Sequence, residues 1–233
     1  RKGARGLVEA FRIAVPHALV IAVGYAIVLD AMPLAEDGRW GAVALDLAVG
    51  GVLYGMSAFG VVWLFKWLVV RRYGQRAVPM WTPFVWLSEA ATNLYEGVAV
   101  PWFLRYLRGT PWLNDALKLL GADIARGVYL DTTDITEFDC VHIGEHSELN
   151  AGCCPQTHLF EDRVMKIDHV RIGSRVTLGP RCTVLYGAQV GDGAQLGPLT
   201  LVMKGESIPA NSEWIGAPAE PRLREKMQPA TAA

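Results

Sequence analysis

The sequence predicts a membrane α-helical hairpin, then short interfacial helices, then an all-β solenoid. Two runs without charged residues lie before residue 70, and after residue 121 aliphatic residues recur at every sixth position. The composition agrees with a membrane anchor, because 52% of the 233 residues are hydrophobic and only 19% are charged. Soluble domains usually carry about 25% charged residues. The net charge of −1 provides no basic field for nucleic acid, and the apolar content excludes disorder.

The two uncharged runs predict two transmembrane helices, at about 7–30 and 42–70. The first run, 13–29, lacks Asp, Glu, Lys and Arg, and the second, 47–65, has 19 residues without a charge. At about 1.5 Å per residue the second run reaches the thickness of a bilayer core. A cleaved signal peptide is the alternative for the first run, but its apolar stretch exceeds the usual length of about 7–15 residues.

Basic residues predict the orientation of this hairpin. They flank both runs on the side away from the connector, and the connector 30–39 is mainly acidic. By the positive-inside rule, both ends of the pair face the cytoplasm, which makes the chain a multi-pass protein of the cell membrane with its bulk inside the cell. The thiols then lie in a reducing compartment and are expected to be free. They are Cys140, Cys153, Cys154 and Cys182.

Small residues in both runs favour close helix pairing. Alanine recurs at every fourth position from Ala14 to Ala26, and Gly51 and Gly55 form a GxxxG motif. Small residues at this spacing let helix backbones approach closely in lipid. Chance in an Ala/Gly-rich segment is the alternative explanation.

Short helices rich in Trp and Tyr are predicted to follow, within 73–121. Thr-Pro pairs at 82–83 and 110–111 favour helix starts, and Gly121 favours a helix end. The predicted helices are 83–98, 101–107 and 111–120, with breaks at Pro101 and Gly109. Aromatic residues favour the headgroup layer, so we expect interfacial helices on the inner leaflet; a soluble helical layer is the alternative.

A strict six-residue period predicts the third part, 122–219. Neither an α-helix nor a flat strand has this period, whereas a solenoid of triangular cross-section does, with three hexads per coil. The aliphatic residue of each hexad is predicted to point into the prism. These residues are Ile172, Leu178, Val184, Val190, Leu196, Val202, Ile208 and Trp214, and a tail is expected at 220–233.

The motif [LIV]-G-x-x-[STAV]-x and the ending 214–219 (WIGAPA) resemble the hexapeptide-repeat acyltransferases. That resemblance implies a left-handed parallel β-helix, and trimers with active sites between neighbouring prisms. In that family a Thr-His at a break in the register carries the catalytic base. The break lies between Cys154 and Val170, and His158 matches the position. Imidazole titrates near neutral pH, as deprotonation of an attacking amine or hydroxyl requires.

The order of a membrane helix pair, an aromatic segment and a hexapeptide domain resembles a narrower group of proteins. It is similar to one repeat of the C-terminal region of ε-poly-lysine synthase-like single-module nonribosomal peptide synthetases. The resemblance rests on four segments, 109–113 (GTPWL), 134–141 (DITEFDCV), 156–166 (QTHLFEDRVMK) and 201–207 (LVMKGES). It implies amide-bond formation between a carrier-bound aminoacyl thioester and a free amine. The adenylation and carrier (thiolation) domains of the same synthase are then the expected partners, besides membrane lipid, with a homotrimer or a tandem pseudo-trimer as the assembly.

Carboxylates near His158 are the candidate substrate ligands. Glu137 and Asp139 end an acidic run, and Glu161 and Asp162 follow the histidine, so they could hold a cationic acceptor or orient the imidazole. Solvated loops are the alternative. Asn150, in the coil before the break, could bind a carbonyl oxygen or make a corner hydrogen bond.

Three other functional readings remain open from the sequence. The domain could be an acetyl-CoA-dependent O- or N-acetyltransferase, or a non-catalytic copy that serves as a scaffold. A zinc site at His142, His146 and His169 is a further alternative, but the spacing of His142 and His146 does not match a repeat of six, and we expect no metal. No ATP-binding loop motif occurs, so the expected cofactor is a phosphopantetheine thioester on a carrier domain and not a molecule bound directly.

Overall fold

The computed structural model describes the backbone of residues 2–222; before residue 21 it describes the side chains of Ala14 and Ala18 alone. Two long helices come first, α1 (Lys2–Glu36) and α2 (Trp40–Phe65). A π-helical turn, Lys66–Val70, continues α2 and ends at Arg71, whose φ is 67°.

The two long helices are antiparallel and pack closely, and the predicted small residues take part in helix packing only at Gly55. A Cβ on Gly50 would lie 2.5 Å from the Ile27 side chain. By contrast, the alanines at 14, 18, 22 and 26 are exposed, and nothing lies within 4 Å of a Cβ on Gly51. Of the predicted small residues, Gly55 does lie at a close helix contact, because a Cβ there would lie 2.7 Å from the Trp102 carbonyl oxygen of the helical segment further along the chain.

One helical stretch of the described chain, Trp40–Val70, is long and apolar enough to cross a membrane. Only 17% of its most apolar 18-residue segment is buried, so it is not a typical core helix of a soluble protein. The predicted two-span membrane hairpin is not confirmed. For the first predicted span, 7–30, most side chains in its first half are not among those that the structure describes.

The middle segment is helical with one shifted break. Helix α3 (Pro83–Leu94) runs through a π-helical turn, Tyr95–Ala99, into α4 (Val100–Trp102). The chain turns at Phe103 (φ −142°) and not at Pro101 as predicted. Proline has no N–H to donate, and the π-helical turn that precedes it accommodates the missing hydrogen bond, so the helix continues through Pro101. A 3₁₀ turn, Leu104–Leu107, leads to α5 (Pro111–Leu120), which ends as predicted at Gly121 with φ 113°.

The last part is a three-faced parallel β-helix, which confirms the hexad prediction. Leu178 pairs with Leu196, and Val184 with Val202, each three hexads further along the chain. Seven of the eight predicted interior residues are at most 3% exposed, and Trp214 closes the series partly buried. The turns are tight; a Cβ on Gly144 would lie 2.5 Å from the backbone of Gly173.

Three parallel sheets form the faces. The first has the order β15-β12-β9-β4-β2, the second β16-β13-β10-β5-β3 with β17 added antiparallel, and the third β14-β11-β6. The strands are β2 (Asp123–Ile124), β3 (Tyr129–Leu130), β4 (Val141–Ile143), β5 (Glu148–Leu149), β6 (Cys154–Gln156), β9 (Val170–Ile172), β10 (Thr177–Leu178), β11 (Thr183–Leu185), β12 (Gln189–Val190), β13 (Gln195–Leu196), β14 (Leu201–Val202), β15 (Ser207–Ile208), β16 (Glu213–Ile215) and β17 (Glu220–Pro221).

The predicted break between Cys154 and Val170 holds a β-hairpin, which we call the arm. Its strands are β7 (His158–Glu161) and β8 (Val164–Ile167). The arm leaves the β-helix and adds β1 (Arg76–Pro79) antiparallel to β8. The segment that follows the long helices is thus paired with the arm.

The helical layer and the β-helix share one core. Buried residues of α2 and α5 continue without interruption into the first coil, so the helices cover the open end of the prism. The residues at this junction are Val62, Leu113, Leu117, Leu120, Ile124 and Leu130.

Leu178→Ala is expected to destabilise the protein by about 2–5 kcal/mol, because it opens a cavity in a fully packed coil. Leu178 is 0% exposed. The measurement is denaturant unfolding in detergent micelles followed by circular dichroism. Leu119→Ala is the control, since Leu119 is 56% exposed and should change stability little. Equal midpoints for the two variants would contradict the described core.

Candidate active site

A buried pair, His158 and Glu137, lies where the arm leaves the β-helix. His158 Nδ1 is 2.7 Å from Glu137 Oε2. The histidine side chain is 13% exposed and the glutamate side chain 0%. Because an ionised carboxylate can only accept, Nδ1 carries the proton and Nε2 has its lone pair free. Among the groups that the structure describes, Nε2 has no hydrogen-bond partner.

Glu137 is fixed by its backbone and by two hydroxyl groups. It lies in the left-handed region (φ 41°, ψ 55°) at the start of a 3₁₀ turn, Phe138–Cys140. Its Oε2 also accepts hydrogen bonds from Thr136 Oγ1 at 2.9 Å and Thr157 Oγ1 at 2.6 Å. For a residue other than glycine, the left-handed conformation is about 1–2 kcal/mol less favourable than the right-handed one. The contacts around Glu137 must therefore stabilise it. The second oxygen, Oε1, is buried without a hydrogen-bond partner among the described residues.

The carboxylate raises the pKa of His158. Burial lowers the pKa of the imidazole, but the hydrogen bond and the charge of Glu137 outweigh it, with smaller contributions from Glu89 and Glu96. The pKa of His158 is therefore above its ordinary value of 6.5. Protonated His158 stabilises the native state fully below the unfolded-state pKa, and this contribution is lost as pH rises through the folded-state pKa.

The imidazole opens onto a cavity of about 370 Å³ with an acidic wall. Three carboxylates line it, from helix α3, the π-helical turn after it and the loop before Glu137: Glu89, Glu96 and Asp134. The rest of the lining is polar or small, namely Thr92, Thr136, Cys154 and Gln156. Burial, followed by the charges of Asp134 and Glu137, raises the pKa of Glu96. A cation bound among these groups would relieve their mutual repulsion.

Two of the predicted substrate ligands have partners away from the cavity. Asp139 forms an ion pair with Lys66, at 2.8 Å between Oδ2 and Nζ. Asn150 donates a 2.8 Å hydrogen bond to the carbonyl of Leu178 in the next coil. This is the corner hydrogen bond that the sequence offered as the alternative role of Asn150.

The other two predicted ligands belong to the tip of the arm. Glu161 accepts hydrogen bonds from Lys166 at 2.8 Å, Lys204 at 2.5 Å and Tyr186 at 3.2 Å. The lysines lower its pKa to about 2. Asp162 is exposed in the turn of the arm, with φ 52°. Of the predicted residues, the structure thus brings together His158 and Glu137, and it does not bring Asp139, Asn150, Glu161 or Asp162 to the cavity.

The sequence reasoning missed the cavity carboxylates and Thr157. Glu89 and Glu96 are seven residues apart in one helical segment, a spacing that places both on one face. That spacing was a usable signal for a shared site. Asp134 lies in a segment that carries the family resemblance, 134–141, but nothing local distinguishes it from a solvated loop residue.

The thiols are free, as predicted, and the one that lines the cavity, Cys154, is not activated. Burial raises the pKa of the Cys140 thiol to about 12, and burial followed by nearby carboxylates does the same for Cys154. Cys154 lines the cavity, but a thiol with this pKa stays protonated near neutral pH and is a poor nucleophile.

Two of the three histidines considered for zinc are adjacent. His142 Nε2 is 2.8 Å from His169 Nδ1, and Asp123 contacts the other nitrogen of His142 at 3.1 Å. His146 lies elsewhere, against Gly127. Within residues 2–222, no three His, Cys, Asp or Glu side chains are grouped as metal ligands.

Comparison with known proteins identifies a close relative. No family model matches the chain. The delta-poly-L-ornithine synthetase of Acinetobacter baumannii (strain AB307-0294) is 55% identical over 223 residues, which are 95% of this chain and 17% of that protein. This chain therefore spans about a sixth of that relative's length. The resemblance to poly-amino-acid synthetases predicted from the sequence is thereby confirmed.

Solved structures with a similar architecture include two acetyltransferases. The serine acetyltransferase of Neisseria gonorrhoeae in complex with serine is 16% identical, with a TM-score of 0.40, and the match covers 87% of this chain and 70% of that one. A galactoside acetyltransferase in complex with coenzyme A is 18% identical, with a TM-score of 0.37, covering 52% and 76%.

Glu137→Gln is expected to lower the pKa of His158 by about one unit or more, because the opposing charge is lost while the burial remains. The measurement is an NMR titration of isotope-labelled histidine, with the His158 signal assigned from its absence in His158→Asn. Glu148→Gln, at an exposed position on β5, is the control. An unchanged His158 pKa in Glu137→Gln would show that the carboxylate does not hold the imidazole.

Proposed function

Proceeding from the similarity to a segment of a poly-amino-acid synthetase, we propose that this chain is a membrane-attached acyl-transfer domain. It forms an amide bond between a carrier-bound aminoacyl thioester and a free amine. The observation that carries this proposal is the Glu137–His158 pair, whose free imidazole nitrogen faces an acidic cavity of about 370 Å³.

The pair provides a general base. The neutral amine attacks the thioester carbonyl through its lone pair, and its nitrogen must lose a proton as the carbon–nitrogen bond forms. Nε2 of His158 accepts that proton, while Nδ1–H stays bonded to Glu137, whose charge stabilises the imidazolium. As the carbon–sulfur bond breaks, the imidazolium returns a proton to the leaving thiolate. Glu137 acts through His158 and is a positioning residue.

The cavity carboxylates favour an acceptor with a second positive charge. Glu89, Glu96 and Asp134 lie on the same cavity as His158, so a diamino acid could place one amine at the base and an ammonium group among the acids. The name of the relative, a poly-L-ornithine synthetase, agrees with an acceptor of this class. Binding of a cationic acceptor, first predicted for Asp139, Glu161 and Asp162, is assigned here to the three cavity carboxylates.

The thioester is proposed to arrive on the phosphopantetheine arm of a carrier domain. Adenylation and carrier domains are then partners within the same synthase, and the unmatched length of the relative leaves room for them. Acetyl-CoA as donor, and a copy that is only a scaffold, are the competing possibilities that the assays below separate.

The site is proposed to face the cytoplasm beneath the membrane. The stretch Trp40–Val70 provides the attachment; Lys66 lies near its end, and basic residues at 71, 72 and 76 follow it. The α1–α2 pair would cross the membrane twice. A homotrimer or a tandem pseudo-trimer of such domains is the proposed assembly.

His158→Ala is expected to lower kcat for aminoacyl transfer by about 10²–10⁴-fold, the usual contribution of a general base. The assay uses the chain in lipid nanodiscs with ornithinyl-N-acetylcysteamine as thioester and free ornithine as acceptor. His146→Asn is the control, since His146 is exposed and asparagine tolerates its φ of 57°. An undiminished rate in His158→Ala would contradict the base, and transfer from acetyl-CoA alone would favour the acetyltransferase.

Glu96→Gln and Asp134→Asn are expected to raise KM for ornithine about tenfold each, and to change KM for a neutral amine such as butylamine little. The physical reason is that each variant removes one charge facing the acceptor's ammonium group. Glu148→Gln is the control. If KM for both amines rose equally, the carboxylates would not recognise the second charge.

A further inference from the structure

The cytoplasmic end of α2 carries a buried lysine that the proposed reaction does not use. Lys66 is 0% exposed, at the junction between α2 and the π-helical turn. Its ammonium group lies 2.8 Å from Asp139 Oδ2 and 3.5 Å from the centre of the Trp67 ring. A buried lysine needs such a partner, because an isolated charge is costly away from water.

The partner, Asp139, belongs to the turn that places Glu137. The two acids are separated by Phe138, in a 3₁₀ turn that the Cys140 amide closes with a 2.8 Å hydrogen bond to the Glu137 carbonyl. Asp139 Oδ2 also accepts a hydrogen bond from the Tyr73 amide at 3.1 Å, just after the π-helical turn. One carboxylate therefore joins the end of α2 to the turn that holds the catalytic pair.

Helix α5 and its end at Gly121 lie close to this ion pair. A Cβ on Gly121 would lie 2.7 Å from Asp139 Oδ1 and 2.9 Å from Lys66 Nζ, and its φ of 113° favours glycine where α5 ends. The neighbouring Trp67 donates a 2.9 Å hydrogen bond to the carbonyl of Leu119. The pair is thus clamped between α2, α5 and the turn.

We propose that the Lys66–Asp139 ion pair is a positioning device, through which helix α2 sets the geometry of the Glu137–His158 pair. Glu137 adopts a left-handed conformation that its neighbours must stabilise, and the ion pair anchors its turn two residues further on. Lys66 and Asp139 do not line the cavity, so they act through Glu137 and not on a substrate. The inference rests on the proposed function only for its effect on catalysis.

The experiment compares Lys66→Met, Asp139→Asn and the double variant with the wild-type chain in nanodiscs. The first readout is the pKa of His158 by NMR, which needs no substrate. We expect each variant to lower it by about one unit, because Glu137 is no longer held against the imidazole. The second readout is kcat for aminoacyl transfer, expected to fall about tenfold or more with little change in KM, and Lys66→Arg is expected to restore part of it.

Lys118→Met is the matched control, since Lys118 is an exposed lysine on α5 whose partner is Asp115. The double variant covers a failure of the single variants to fold, because removing both partners of a buried pair is tolerated better than removing one. A wild-type His158 pKa in folded Lys66→Met or in the double variant would overturn the proposal. If instead the pKa shifts while the wild-type chain transfers no aminoacyl group, the positioning role stands and the proposed function fails.

Discussion

Each hexad of the β-helix buries an aliphatic side chain, in most hexads with a second small residue, and this close packing governs where polar chemistry can occur. Consecutive coils approach so closely that Gly144 has no room for a side chain against Gly173, and the interior positions are sealed. A histidine and its carboxylate partner, such as His158 and Glu137, cannot be accommodated inside such a prism. They lie instead where the coil is interrupted, at the foot of the arm and on the turn Phe138–Cys140 that faces it.

The interruption creates a small volume with a strong negative field. Glu137 is buried, and Thr136, Thr157 and His158 each donate a hydrogen bond to its Oε2. The helical layer contributes further carboxylates to the cavity from another direction. The helical layer therefore contributes side chains to the cavity besides sharing one core with the β-helix.

The sequence predicted the features that follow from strict periodicity and missed those that depend on packing between distant segments. The hexads identified the prism and the break at His158, since a six-residue period has few structural solutions. Glu137 was found because an acidic run preceded the break, but Asp139, two residues later, could not be distinguished from it. A one-residue αL step turns the two side chains to different partners, and no local pattern reveals that step.

Electrostatic partners were the hardest feature to predict. Glu161 lies close to His158 along the chain, yet two lysines engage it, one of them from a distant coil. Glu89 and Glu96 lie far from His158 in sequence and share its cavity. The helix spacing showed that they lie on one face, but only the packing of that helix onto the β-helix shows which face meets the site.

The most direct test of the central claim is a structure of the chain with a non-hydrolysable amide analogue of ornithinyl-pantetheine and free ornithine bound. The account predicts the acceptor's reacting amine at hydrogen-bond distance, about 3 Å, from His158 Nε2. It also predicts the acceptor's other ammonium group among Glu89, Glu96 and Asp134. An acceptor bound away from the cavity, with His158 facing only solvent, would contradict the account.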